Sequence, residues 1–188
     1  MGLNELPQIK MYWEPPWQLS LVTRRFTRRR FLAIRKYLHL ADNTILVKPD
    51  QKEYDPLGKI RPLINLLIGN FRANYNPECY LTADEDICKF KGRNKMKQYL
   101  RGKIIKWGYK IWKLCDAKTA YVLNLSVFTG KTSEKSVPYG VVMDLVERYL
   151  DKHHVVVMDN YFTGVPLFLD LLQRSTYALH CKFFIIRV

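Results

Sequence analysis

Acidic residues are scarce in this chain: its 188 residues hold 17 Asp and Glu against 31 Lys and Arg, a formal net charge of +14. That imbalance favours anionic partners, nucleic acid first, then an acidic membrane surface or an acidic protein. Cysteine is also sparse. The four residues, Cys79, Cys88, Cys115 and Cys181, are widely and irregularly spaced with no Cys-x-x-Cys pair. This argues against a zinc ribbon and a disulfide scaffold, and makes reduced thiols in an intracellular protein the default. No apolar run reaches the roughly 18 residues of a membrane span, and the N-terminus lacks a basic, apolar, small-residue leader pattern. Gly92, Gly102, Gly108 and Gly130 form no phosphate-cradling loop, so a nucleotide cofactor has no support. Nucleus and cytoplasm are left as compartments, and a DNA partner favours the nucleus.

What is present suits one folded domain with an arm: 48% of the residues are apolar. Residues 1–22 carry Pro7, Pro15, Pro16 and the rings of Tyr12, Trp13 and Trp17 without periodicity, which reads as an extended arm packing onto the body. Residues 24–40 read as a helix that Thr27 can cap, with Phe31, Ile34 and Leu38 on one face. Arg24, Arg25, Arg28 and Arg29 crowd its start, opposing the helix dipole, a cost that contact with phosphate would relieve. A polar loop over 41–54 precedes a second helix, started by Asp55-Pro56 or by Pro62, with Ile64, Leu67, Ile68 and Phe71 on its apolar stripe.

Beyond residue 76 the period changes to that of strands, over 79–90, 106–115 and 121–128, the last two joined by a turn at Asp116-Ala117-Lys118-Thr119. A helix opened by Ser136-Val137-Pro138 follows, then a valine-rich strand over 153–158, then a helix capped at Thr163 or a neighbour and carrying Leu167, Leu171 and Leu172. Residues 176–188 can supply a last strand or stand as an aberrant tail. The organisation is an N-terminal arm and helical region over 1–76 and an α/β core over 77–188.

Asp84 and Asp159 are the sharpest chemical feature. Each sits on a strand-like segment, and carboxylates delivered by neighbouring parallel strands can hold hard divalent ions through oxygen. Asp86 shares a strand face with Asp84 by alternation and is an auxiliary ligand candidate, whereas Glu85 points the other way. His153 and His154 would face opposite sides of a strand and are assigned to structure. Lys89, Lys91, Arg93, Lys95, Lys97, Arg101, Lys103 and Lys106 alternate with Phe90, Tyr99 and Trp107, a pattern that neutralises phosphates and can stack an exposed base. Trp107 is assigned to the core.

Four words occur in order: Leu81-Thr82-Ala83-Asp84-Glu85, Phe90-Lys91-Gly92-Arg93, Ile105-Lys106-Trp107-Gly108 and Asp159-Asn160-Tyr161-Phe162-Thr163. Together they resemble the transposase domain of the piggyBac family and its domesticated, transposase-derived relatives, over residues 3–173. The resemblance implies an RNase H-like mixed sheet with flanking helices, and a three-aspartate, two-metal site (Mg2+ or Mn2+) that cuts and joins DNA ends. In that motif Asp84 takes the first catalytic position and Asp159 the second. The third family aspartate lies further downstream, beyond a match in these 188 residues, and the family's prolines before Ile-Lys-Trp-Gly are replaced by Arg101-Gly102-Lys103. The expectation is therefore a truncated copy, its sheet incomplete at the C-terminus, binding DNA but transferring strands poorly alone, with a second copy or a full-length transposase as a candidate partner. Its rivals are a domesticated DNA- or chromatin-binding module without catalysis and a structural or dimerisation fragment.

Overall fold

The computed structural model describes residues 5–130 and 137–181. A 3-10 turn (Ile9–Trp13) and three helices, α1 (Ser20–Thr23), α2 (Arg28–Tyr37) and α3 (Arg61–Asn74), precede the sheet. The strands and helices that follow are β1 (Tyr80–Lys89), β2 (Gln98–Tyr99), β3 (Trp107–Asp116), β4 (Val122–Val127), α4 (Val137–Val146), β5 (Val155–Met158), α5 (Val165–Gln173) and β6 (Tyr177–His180). The six strands form one mixed sheet in which β3, β1, β5 and β6 are successive neighbours. β3 runs antiparallel to β1, β2 and β4, while β1–β5 and β5–β6 are parallel. This is the α/β architecture, mixed sheet with flanking helices, that the sequence led to.

Alternation decides which face of the sheet is buried. Leu81 and Ala83 of β1, Trp112 and Leu114 of β3, and Val156 and Met158 of β5 point into one core, where they meet Val142 and Leu145 of α4 and Leu167 and Leu171 of α5. Each fully buried leucine, valine or methionine of this set contributes roughly 1.5–3 kcal/mol of transfer free energy, so this layer fixes the β1–β5 register. The Tyr139 hydroxyl donates to Asp170, tying α4 to α5. β6 extends the sheet beyond β5, and residues 182–188 lie outside the described residues, as does the Ser136 start assigned to α4. α5 begins at Gly164 without a side-chain cap; Thr163 turns its hydroxyl back to the Asn160 carbonyl instead.

The N-terminal part departs further from expectation. The arm is folded rather than extended: Tyr12 is buried, the Trp13 indole N–H donates to the Phe26 carbonyl at 2.8 Å, and its ring lies 5.4 Å from that of Phe31. Thr27 caps α2 as expected, accepting from the Arg30 N–H at 3.2 Å. Pro62 marks the true start of α3, since its missing N–H costs nothing in a first turn, and Asp55 grips Arg61 through two hydrogen bonds of 2.7 and 2.8 Å just ahead of it. Neither α2 nor α3 contains a buried residue, so Ile34 and Leu38 are exposed and their stripe belongs to no core among the described residues. α3 reaches the sheet through Phe71, whose ring meets that of Tyr121 edge-on at 6.1 Å, and through Tyr75 just past its end, whose ring stacks on that of Tyr121 at 4.4 Å. The 41–54 loop is less polar in role than in composition. With Leu57 and Ile60 its Ile45, Leu46 and Val47 line a cavity of about 910 Å³ against Cys88 and Ile111 of the sheet.

Thr27→Ala is expected to cost about 1 kcal/mol of α2 stability, the usual worth of a threonine cap. The check is hydrogen exchange, in which the amides of the first α2 turn should lose protection while those of β1 and β5 keep theirs.

Candidate metal site and nucleic-acid surface

The last ladder pair between β1 and β5 is Ala83 with Met158, and the next residue on each strand is Asp84 and Asp159. Since Ala83 and Met158 face the core, both aspartates emerge on the opposite face, side by side at the point where β5 ends. Asp159 ends that strand by accepting from the Tyr161 N–H at 3.0 Å, a local turn that short acidic and amide side chains favour. The Asp84 carboxyl is held above its ordinary range: partial desolvation is the main cause, opposed by the Glu85 N–H and the Lys103 charge and reinforced by the Asp159 and Glu85 charges. A carboxyl raised in part by the charge of a neighbouring carboxylate marks a place where a divalent cation would relieve repulsion.

Asp86 lies on the same face but is drawn to Lys113, which holds its carboxyl below the usual range. In the β1–β3 register Lys113 stands directly opposite Asp84, and its ammonium is taken up by the Asp86 carboxylate. Among the described residues no three His, Cys, Asp or Glu side chains gather closely enough to hold a metal ion. The donor chemistry that remains, two hard carboxylates open to solvent, fits a magnesium-like ion that keeps most of its waters.

A second polar cluster, behind the carboxylate pair, was invisible in the sequence. Glu85 points to the other face, where it is ion-paired with Lys110 and lies 3.5 Å from Lys103. The Lys110 ammonium also sits 4.6 Å from the centre of the Tyr161 ring and 5.5 Å from that of Trp112. Lys110 thereby joins the residue after Asp84 to the residue whose N–H holds Asp159. Finding it requires the pairing of β1 with β3 and the fold of the turn after β5, and a lone lysine on a strand signals neither. His154 contacts the Glu78 carbonyl, while His153 occupies a left-handed turn position before β5.

Comparison with known proteins places these features in a family. Residues 1–180 match the family model described as Transposase IS4. The human piggyBac transposable element-derived protein 3 is 33% identical over 184 residues, 92% of this chain and 30% of its own length. The human piggyBac transposable element-derived protein 2 is 36% identical over 188 residues, 94% of this chain and 31% of its own. The chain belongs to the piggyBac-type transposase family. The fold agrees with that of the piggyBac transposase solved by cryo-EM as a synaptic complex with hairpin DNA: TM-score 0.77, 27% identity, covering 89% of this chain and 35% of that one. This piggyBac-type chain therefore spans about a third of the length of the relatives it matches.

The basic residues that the sequence assigned to nucleic acid fall into two groups along the chain. Arg24 and Arg25 follow α1, and Arg28 and Arg29 form the first turn of α2; all four are exposed, and Arg28 reaches Glu14 at 3.3 Å. Lys89, Lys91, Arg93, Lys95 and Lys106 are exposed around the β1–β2 connection and the start of β3, with Lys97 half-buried beside them. The Phe90 N–H donates to the Trp107 carbonyl, which brings both ends of this second group to one corner of the sheet. Trp107 does not belong to the core as expected. It is 50% exposed, because its neighbour Gly108 takes the inward position against β1. Among the described residues no helix is long and apolar enough to cross a membrane.

Proposed function

We propose that this piggyBac-type domain binds DNA through its basic surface and holds one Mg2+ or Mn2+ weakly between Asp84 and Asp159, as the remnant or portion of a metal-dependent cut-and-paste site. The observation that carries the reading is the parallel β1–β5 register, which brings two carboxylates 75 positions apart in sequence to adjacent strand positions. When bound, such an ion supplies Lewis-acid polarisation of a phosphoryl oxygen. The chain's own groups do the rest: Asp84 and Asp159 hold the ion, and the Tyr161 N–H fixes the Asp159 carboxylate. Asp86 joins as a ligand only by releasing Lys113, and Lys89, Lys91, Arg93, Lys95, Lys97 and Lys106 neutralise phosphates, with Arg24, Arg25, Arg28 and Arg29 as a second contact. With two of a three-aspartate set, ion spacing and transition-state charge are poorly fixed, and these 188 residues by themselves do not transfer strands. The reading places the protein in the nucleus.

A second reading, assembly with another copy or with a full-length transposase, is favoured by the exposed apolar side chains of α2 and α3. Metal and DNA titrations test the first reading, and the oligomeric state of the purified chain in solution tests the second. Mn2+ titration should show weak binding that Asp84→Ala or Asp159→Ala lowers at least ten-fold, and DNA affinity should fall steeply with salt in all three proteins. Manganese-dependent nicking of a hairpin or transposon end would restore catalysis to the stretch. Mn2+ affinity indifferent to both substitutions would remove the metal site, and salt-insensitive DNA binding would remove the basic surface.

A further inference from the structure

β2 is a two-residue edge strand, and in its ladder with β3 Tyr99 stands directly opposite Trp107. Directly opposed residues of an antiparallel pair share a face, so the two rings meet, with centroids 4.8 Å apart and planes at 51°. They meet in the open: Tyr99 is 51% exposed and Trp107 50%. Trp107 is not free to turn inward. A Cβ on Gly108 would come within 2.3 Å of the Cys88 carbonyl oxygen, so the β3 backbone is pressed against β1 there, and strand alternation sends the preceding tryptophan outward. Lys97, two residues before Tyr99 and thus on its face, places its ammonium 4.9 Å from the Trp107 ring centre while donating to the Gly92 carbonyl at 2.9 Å. Arg101 and Lys106 flank the rings on the turn between the strands, both exposed.

We propose that Tyr99 and Trp107 form a stacking platform for an unpaired base of single-stranded DNA, with Lys97, Arg101 and Lys106 tracking the phosphates on either side. The inference rests on the DNA-binding reading above and narrows it from duplex to unpaired nucleotides. Three features point to that ligand. Paired bases hide their faces, so a half-open ring pair offers a duplex nothing that the lysines do not already offer. An unpaired base presents a π-face of the size of these rings whatever its identity. The Lys97 ammonium, 4.9 Å from the Trp107 ring centre, is near enough to swing onto the phosphate of a nucleotide stacked on the rings.

The test compares a fluorescently labelled mixed-sequence 12-mer with the same strand annealed to its complement, in anisotropy titrations of the full 188-residue chain at one low ionic strength. Tyr99→Ala and Trp107→Leu are expected to weaken single-strand binding on the order of ten-fold, the worth of one stacked base, and duplex binding less than two-fold. Tyr99→Phe, which keeps the ring, should behave as the parent, and Tyr99→Val, which keeps the strand propensity without the ring, should be as weak as Tyr99→Ala, which separates stacking from loss of the edge strand. Lys97→Gln should weaken both DNA forms alike. Equal losses on single strand and duplex, no loss on either, or a Tyr99→Phe protein as weak as Tyr99→Ala would each overturn the platform while leaving DNA binding intact. A parent chain that binds neither form would overturn the platform and the DNA-binding reading together.

Discussion

Asp116→Ala is expected to cost about 3 kcal/mol of folding stability, a large share of what a domain of this size possesses. Asp116 is fully buried at the turn between β3 and β4. Its carboxylate accepts from the Glu78 N–H, the Lys118 N–H and the Thr119 N–H, each at 2.9 Å, and from the Thr119 hydroxyl at 3.1 Å. Alanine removes the acceptor from three backbone donors. An unpaired buried donor costs about 1–3 kcal/mol, but Lys118 and Thr119 are exposed enough for water to reach them, which holds the sum near 3 rather than 6. Thermal unfolding should move down by roughly 6–12 °C. Burial pushes this carboxyl up, yet the donated hydrogen bonds outweigh it and leave the group below its ordinary range. A depressed folded value means that the stabilisation is complete above the unfolded pKa of about 3.9 and is lost as the pH falls through the folded value. The gap between the parent and Asp116→Asn should therefore be constant near neutrality and close in strong acid. A gap that widens on acidification would show that the carboxylate is not the stabilising form.

The same residue shows how much of the structure was legible. Asp116-Ala117-Lys118-Thr119 was readable as a hairpin turn from its composition, because turn chemistry is local. The three long strands, the alternation within β1 and the helices after β4 were readable for the same reason, whereas the nearness of Asp84 and Asp159 followed only on the condition that their strands are neighbours, a pairing that the sequence left open. The unread part is the long-range part. β2 contains only Gln98 and Tyr99, too short to show any period, so the outward turn of Trp107 could not be foreseen. Periodicity gave α2 and α3 an apolar face each without reporting what covers it: the α2 stripe is open at Ile34 and Leu38, and that of α3 is half-covered, with Phe71 against Tyr121. Glu85 looked idle beside two aspartates on the working face, since its partner lies on another strand.

That partner carries the other large effect. Lys110→Met should destabilise the fold by about 2–3 kcal/mol and also loosen the proposed metal site. Lys110 and Glu85 are 12% and 14% exposed, so the pair is largely out of water, and removing one member of such a pair typically costs 3–5 kcal/mol through the charge left behind. Lys103, 3.5 Å from Glu85, remains to neutralise part of that charge and brings the figure down. Stability alone would not reveal the link to Asp159, and charge confuses a single substitution: deleting a positive group near a cation site strengthens cation binding by Coulomb attraction. The double substitution Lys110→Met with Glu85→Gln removes one charge of each sign and leaves the local sum unchanged. It also takes away the cation held against the Tyr161 ring at 4.6 Å, and with it the brace on the turn whose N–H holds Asp159. Most of the stability should return in the double variant, because no buried charge is left unpaired. Mn2+ affinity should nevertheless stay several-fold below that of the parent, and Tyr161→Leu should lower it similarly whereas Tyr161→Phe, which keeps the ring under the ammonium, should not. Parent-like Mn2+ affinity in the double variant would mean that β1 and β5 alone set the spacing of the two carboxylates, with Lys110 contributing to folding only.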